Sequence, residues 1–347
     1  MIKIFKNISL LSRNSFHVDV TARELIEFDS AEDLQELFST QAPKRWMVLS
    51  GGNNILFTRA VEQTLLHPRG QSIEIVAEDH TDKSVTLKVA AGVEWDDVVE
   101  WCVERGLWGA ENLSLIPGKA GAAPIQNIGA YGSELCDILV KVDYFDTELC
   151  KPCSIEATAC EFGYRESIFK GQGQLRGRAI VTAIYLRLSR EANPQLHYAD
   201  LIDRVAMRSG AAQESEPSLR TIREVICEVR REKLPDTSVM GNAGSFFKNP
   251  IVERVVAERL LERYPTMPHY SVLGDDTKVK LAAGWLIDQA GMKGYTQGRV
   301  GVHARQALVL VNLGGATGGE VLELAREVQQ AVRDRFSVEI DMEVNIV

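Results

Sequence analysis

No stretch of this sequence approaches the ~20 consecutive apolar residues that a membrane-spanning helix requires. The N-terminal M-I-K-I-F-K-N-I-S-L-L is too short and too interrupted for the apolar centre of a signal peptide, so a cytoplasmic location without membrane insertion is expected. Long basic runs are missing as well, and the formal net charge of -9 leaves no nucleic-acid footprint. An acidic chain can still hold a small anion where a few Arg, Lys and backbone N–H groups converge. Only six histidines and six cysteines occur (Cys102, Cys136, Cys150, Cys153, Cys160 and Cys227). Cys150 and Cys153 have C-x-x-C spacing with Cys160 behind them, but no second close pair of Cys or His completes a zinc set. His80 and His197 stand alone. The pair reads as structural, with Lys151-Pro152 as a turn between strands, and no metal is expected.

Two catalytic fingerprints are also absent. Gly171-Gln172-Gly173 with Gly177 precedes a strand, and Gly314, Gly315, Gly318 and Gly319 have the wrong spacing, so neither makes a dinucleotide turn. G-x-S-x-G is not satisfied either.

What remains is the composition of a globular protein, 45% hydrophobic and 25% charged, in 347 residues that suggest two or three domains. Residues 23–41 carry a helix signature with Ser30 as N-cap. R-W-M-V-L-S (45–50) reads as a strand running into the glycine turn G-G-N-N (51–54), where N–H groups can converge on an anion. Strands follow over 63–92, then a helix at 94–105 closed by Gly106. More strands run to about 189, and 191–217 reads as a polar boundary and exposed loop. Helices are expected at 218–232, 251–263, 278–290 and 317–335, with a strand at 307–312 and an alternating strand over 336–347. The pattern is α+β, strand-rich first and helix-rich later.

Three segments carry chemistry. Residues 108–132 are rich in Gly and Ala, bracketed by Pro117 and Pro124, with only Glu111 and Lys119 charged. Such a stretch lets backbone approach something bulky and planar or phosphorylated, with Gln126, Asn127, Tyr131 and Ser133 as polar edges. In F-G-Y-R-E-S-I-F-K (162–170), Arg165 lies among aromatics and reads equally as an oxyanion clamp or a structural ion pair. In G-N-A-G-S-F-F-K-N-P (241–250), Ser245 sits on a glycine turn beside Phe246 and Phe247. Downstream only His269 and His303 are on offer as a base, so the serine suits proton donation to a carbanion-like centre better than nucleophilic attack.

These segments, with V-L-S-G-G-N-N-I-L, I-P-G-x-x-G-A-A-P-I-Q-N-I-G-A-Y-G, A-A-G-W-L-I-D-Q-A-G-M-K-G and V-H-A-R-Q-A-L-V-L-V-N in this order, resemble the UDP-N-acetylenolpyruvoylglucosamine reductases, from about residue 12 onward. K-L-P-D at 233–236 and the linker around Tyr198 look like the longer subtype of that family, with an extra loop over the substrate. The resemblance implies a two-part, non-Rossmann FAD-binding region of the PCMH/vanillyl-alcohol-oxidase kind and a C-terminal α+β substrate domain. The boundaries implied are 1–68 joined by the strand 336–347, then 69–217, then 218–335. NADPH would reduce the flavin and leave, and the UDP-sugar would take its place. Hydride from flavin N5 would add to the enolpyruvyl β-carbon while Ser245 protonates the α-carbon, with Arg165 and Glu343 stabilising the enolate-like intermediate. A glutamate there helps only if protonated or hydrogen-bonded.

Carried over residue by residue, Ser50, Gly51, Gly52, Asn53, Asn54, Pro117, Gly118, Ala122, Ile125, Gln126, Asn127, Gly129, Ala130 and Gly132 would contact FAD. Tyr131, Tyr198, Lys233, Asn249 and Gln306 would contact the substrate. The turn S-G-G-N-N departs from the family's usual G-x-G-S-N at Ser50 and Asn53. A monomer is expected. Two other readings stay open: an FAD-dependent alcohol oxidase or dehydrogenase on the same scaffold, and a non-catalytic nucleotide-sugar binder.

Overall fold

The computed structural model describes residues 2–197, 201–209, 217–272 and 274–347. Its contacts divide the chain into two units, the first made of residues 1–8, 22–51 and 62–230, the second of 9–21, 52–61 and 231–347.

Among the described residues the first unit holds two larger sheets, besides the short pairing of Gly129–Ala130 with Ser133–Glu134. One has the strand order Lys3–Ser9, Thr21–Phe28, Val61–Pro68, Trp46–Val48, with the last pair parallel. Helix α1 (Ala31–Gln41) packs Leu34 and Leu37 into the core that this sheet shares with Phe28, Leu66 and Phe145. Ser30 caps α1 as expected, its side chain accepting from Asp33 N. Residues 23–28, expected as the start of that helix, are strand instead. Leu25, Ile26, Glu27 and Phe28 are all buried, so both faces of the strand are covered and no period-2 alternation announces it.

The other sheet is antiparallel throughout, in the order Lys151–Glu156, Leu139–Asp146, Ala179–Ser189, Ser84–Ala90, Ile73–Asp79. Lys151 and Pro152 open its edge strand rather than forming a turn. Pro is tolerated there because an edge strand need not donate on its outer side. Helix α2 (Trp95–Glu104) covers this sheet with Trp95, Val98, Val99 and Cys102, and Gly106 at φ +68° ends it. The stretch expected as a loop over 191–217 contains helix α3 (Leu201–Ser209). Its Leu201 and Val205 form a separate small core with Leu196 and with Ile222, Val225, Ile226 and Val229 of helix α4 (Leu219–Lys233).

The second unit is built on helix α5 (Arg254–Arg263), α6 (Ala283–Gln289) and α7 (Gly318–Phe336) around one core that includes Phe246, Phe247, Leu286 and Val328. Residues 251–253 and 278–281, expected as helix, pair as strands in a small antiparallel sheet with His269–Ser271. Val300–Val302 and Leu310–Asn312 pair in another. Over 336–347 the expected single strand is largely absent: Phe336 ends α7, and only Asn345–Ile346 is strand, parallel to Ile55–Leu56. The alternation itself is real, since Val338, Ile340 and Val344 are buried, but this extended chain lies beside irregular backbone.

The candidate flavin and substrate site

The glycine turn after Trp46–Val48 divides at the boundary between the units. In the first unit, the Ser50 hydroxyl is buried and has no hydrogen-bond partner among the described residues. Its φ is not positive, so a side chain is accommodated where the family pattern has glycine. In the second unit, Gly52 has φ +68°, and an added Cβ would lie 2.1 Å from the Arg13 carbonyl oxygen. Ser15 N donates to Gly52 O at 3.0 Å, which holds this turn against residues 13–15. Asn54 is tied to the C-terminal segment, Nδ2 donating to Glu343 O at 3.4 Å while Asn345 N donates to Asn54 O at 3.1 Å.

Residues 108–132 form a run of short turns. Gly118 at φ +115° accepts from Trp95 N at 2.8 Å, and Ala120–Ile125 is a 3₁₀ turn containing Ala122 and the buried Pro124. At Gly121 an added Cβ would lie 2.5 Å from the Ala91 Cβ, a close approach that sequence reasoning passed over. Pro117 is exposed, and Ile125 and Gln126 are half-buried. Asn127 is fully buried, and its amide is committed inward: Nδ2 donates to Glu134 Oε2 at 2.7 Å and Oδ1 accepts from Cys136 N at 3.0 Å.

Gly129–Ala130 pairs with Ser133–Glu134, so Tyr131 and Gly132 are the two residues of a tight hairpin. Both have positive φ, +51° and +83°, which identifies a type I′ turn. Glycine suits this turn and tyrosine does not, so Tyr131 is held there at a cost. Asn112 Nδ2 donates to Tyr131 O at 3.0 Å, and the Tyr131 side chain packs against the small core of α3 and α4.

Arg165 is also left-handed, at φ +59°. Its guanidinium donates to Gly129 O at 3.1 Å and to Asn127 O at 3.4 Å, and stands 5.8 Å from the Tyr164 ring. An added Cβ on Gly129 would lie 3.5 Å from Arg165 Nη1. Three chemistry-bearing residues in one unit, Asn127, Tyr131 and Arg165, therefore occupy a conformation that non-glycines disfavour. Such strain persists only where surrounding packing enforces it, and it gathers at functional sites.

In the second unit, Ser245 follows Gly244 at φ +67° and is half-buried, with Phe246 and Phe247 fully enclosed behind it. Asn242 braces the turn, donating to Met240 O at 2.8 Å and accepting from Gly244 N at 2.9 Å. An Asx residue two places before a glycine is a turn signal that could have found it. Residues 246–248 run antiparallel to 341–343: Glu343 N donates to Phe246 O and Lys248 N to Asp341 O, each at 2.8 Å. That pairing brings the Ser245 turn and Glu343 together across almost a hundred residues of sequence. Asn249 Oδ1 accepts from Ala283 N at 3.0 Å at the start of α6, and Gln306 Oε1 accepts from Leu308 N at 3.4 Å. Lys233 is exposed at the end of α4. Tyr198 lies outside the described residues.

The residues fit a flavin dinucleotide. A buried hydroxyl without a partner, a glycine turn and a small-residue run are what a diphosphate and a planar ring system require. A family model for an FAD-binding domain matches residues 22–148, and one for the C-terminal domain of UDP-N-acetylenolpyruvoylglucosamine reductase matches residues 235–347. Proteins named UDP-N-acetylenolpyruvoylglucosamine reductase from Bacteroides fragilis and Pseudomonas aeruginosa are each 44% identical, over 98% and 99% respectively of both chains. The crystal structure of a UDP-N-acetylenolpyruvylglucosamine reductase from Thermus caldophilus superposes with a TM-score of 0.67, covering 100% of this chain and 98% of that one at 23% identity. At that identity it supports the fold, a non-Rossmann flavin-binding region followed by an α+β domain.

Fold and site together define a flavin-dependent oxidoreductase that carries FAD and takes NADPH as reductant. The chain belongs to the UDP-N-acetylenolpyruvoylglucosamine reductase family, whose reaction serves peptidoglycan synthesis. Among the described residues no helix is long and apolar enough to cross a membrane.

Proposed function

We propose that Ser245 is the proton donor in reduction of UDP-N-acetylglucosamine enolpyruvate to UDP-N-acetylmuramate, with Arg165 and Glu343 stabilising the charge that develops on the substrate. The observation carrying this reading is the backbone pairing of Phe246 with Glu343, which sets the donor turn beside the acid. The flavin, once bound and reduced by NADPH, would supply the hydride for the enolpyruvyl β-carbon. Ser245 Oγ then passes its proton to the α-carbon, so hydride and proton saturate the double bond. A serine hydroxyl is acidic enough only for a strongly basic carbon, which limits it to this step and spares it from needing a histidine.

Arg165 would offer its planar fork to the growing enolate and carboxylate charge, and removing one such preorganised donor typically costs about 3–4 kcal/mol of barrier stabilisation. Phe246 and Phe247 keep water from the floor of the Ser245 turn. Tyr131, Tyr198, Lys233, Asn249 and Gln306 are assigned to the substrate. Ser50 to Asn54, Pro117, Gly118, Ala122, Ile125 to Asn127, Gly129, Ala130 and Gly132 are assigned to FAD.

The three-part division is functional in this reading: 1–68 with 336–347 and 69–217 hold FAD, and 218–335 holds the sugar. The protein works as a cytoplasmic monomer, where NADPH and UDP-sugars are made. The test is stopped-flow measurement of both half-reactions. Ser245→Ala should keep flavin reduction by NADPH and lose reoxidation by the enolpyruvyl sugar. An equal fall in both would remove the proton-donor assignment.

A further inference from the structure

Residues 303–309 join the strand Val300–Val302 to its antiparallel neighbour Leu310–Asn312. The loop is closed on itself: His303 N donates to Val309 O at 2.9 Å, and Val309 N donates to Gln306 O at 3.0 Å. A side chain makes one further bond, Gln306 N donating to His303 Nδ1 at 3.2 Å. An imidazole nitrogen that accepts must be unprotonated, so the proton of the neutral ring sits on Nε2. Gln306 Oε1 accepts from Leu308 N at 3.4 Å, and no hydrogen bond among the described residues takes the Gln306 Nε2 donors. The start of α6 lies against this side chain, since an added Cβ on Gly284 would stand 3.5 Å from Gln306 Oε1. Leu308 O accepts from Phe246 N at 2.7 Å, so Phe246 is held between this loop and Glu343.

The surroundings keep the ring neutral. Burial pushes the His303 proton affinity down, and Arg305 on the same loop pushes it the same way. Among the described residues no carboxylate acts on it in the other direction. A ring protonated at both nitrogens has no acceptor left and would set one N–H against another. We infer that His303 is a positioning residue, whose unprotonated Nδ1 fixes the backbone of Gln306 and so aims the Gln306 amide at the substrate. The inference rests on the assignment of Gln306 to the substrate. A histidine that only filled space would tolerate any side chain of its size. A positioning acceptor answers instead to acceptor geometry and to protonation. Asparagine separates the two, because its side-chain oxygen bonds backbone N–H groups a few residues on.

The experiment mixes reduced holoenzyme with the enolpyruvyl sugar and follows flavin reoxidation by stopped flow, giving a half-saturating concentration and a limiting rate. At about pH 8, His303→Leu should raise the half-saturating concentration about three- to tenfold, the loss of one neutral hydrogen bond, with the limiting rate within about twofold of wild type. His303→Asn should stay within about twofold of wild type in both. Wild type should lose the same affinity between about pH 7 and about pH 5, as the ring takes up a proton, and His303→Asn should not. Gln306→Ala should weaken the sugar at least as much as His303→Leu does, and combining the two should cost little more. An asparagine variant as weak as the leucine one, the same pH dependence in asparagine variant and wild type, or full additivity with Gln306→Ala would each overturn the proposal. So would a slower limiting rate at unchanged half-saturation in His303→Leu. The pH comparison needs only wild type and His303→Asn, so it decides the matter even if the leucine variant does not fold. If Gln306→Ala binds the sugar as wild type does, the substrate assignment of Gln306 fails instead, and this inference with it.

Discussion

Glu111 shows how one buried side chain can pull against the rest of the fold. It lies 2% exposed on a short 3₁₀ turn, accepting from Gly109 N at 2.7 Å, and burial raises its proton affinity above the ordinary carboxylate value. A carboxyl with a raised folded-state pKa contributes stability at pH below its unfolded value and loses it as pH rises through the folded value. Glu111→Gln keeps the oxygen that accepts from Gly109 and removes the charge. It should therefore raise the melting temperature more at about pH 8 than at about pH 5. Equal melting at both pH values would show that Glu111 carries no such penalty. Among the site residues, Ser245 and Arg165 could be picked out from their neighbours in sequence, the glycine turn and the aromatics. The left-handed backbone at Asn127, Tyr131 and Arg165 could not, because those residue types give no local cue to φ.

At the level of elements, α4 is anchored to α2 by the Arg223–Asp96 pair. Both side chains are largely buried, 12% and 27% exposed. Burial works to raise the Asp96 pKa, but the hydrogen bonds from Arg223 and Leu115 outweigh it and hold the carboxyl below its usual value. Asp96→Asn should cost about 2–3 kcal/mol, read as a lower denaturant midpoint, because it leaves a buried guanidinium short of its anion. The long helix α7 is started by a reciprocal capping box of Thr317 and Glu320. Thr317→Ala should cost about 1 kcal/mol, visible as a small fall in melting temperature. Thr317 and Glu320 have the S/T-x-x-E spacing of that box, so the start of α7 was legible from sequence alone. The strand over 23–28 was not, since burial on both faces erased the alternation that marks a strand.

For the whole molecule, acid sensitivity follows from carboxylates paired in the fold. Asp146 is 1% exposed and held down by hydrogen bonds from Arg178, and Asp96 is held down as described. Groups with depressed folded pKa values contribute stability above the unfolded value, near pH 4, and lose it as pH falls through the folded one. Unfolding followed by circular dichroism should show stability dropping below about pH 4, and Asp96→Asn should blunt that slope. A slope unchanged by the substitution would assign the acid sensitivity elsewhere.

The family, the cofactor and the candidate donor were readable along the chain because glycine turns, capping residues and small-residue runs act over a few neighbours. Their ordered motifs survive as text. Which polar groups are satisfied was decided by segments far apart in sequence. Asn127 is taken up by Glu134 and Cys136, Ser50 Oγ is buried without a partner among the described residues, and Asp96 is given to Arg223. Glu343 meets the Ser245 turn only because chain near the C-terminus returns to pair with residues 246–248. Burial and hydrogen-bond partnership depend on what packs against a side chain, and no local pattern specifies that.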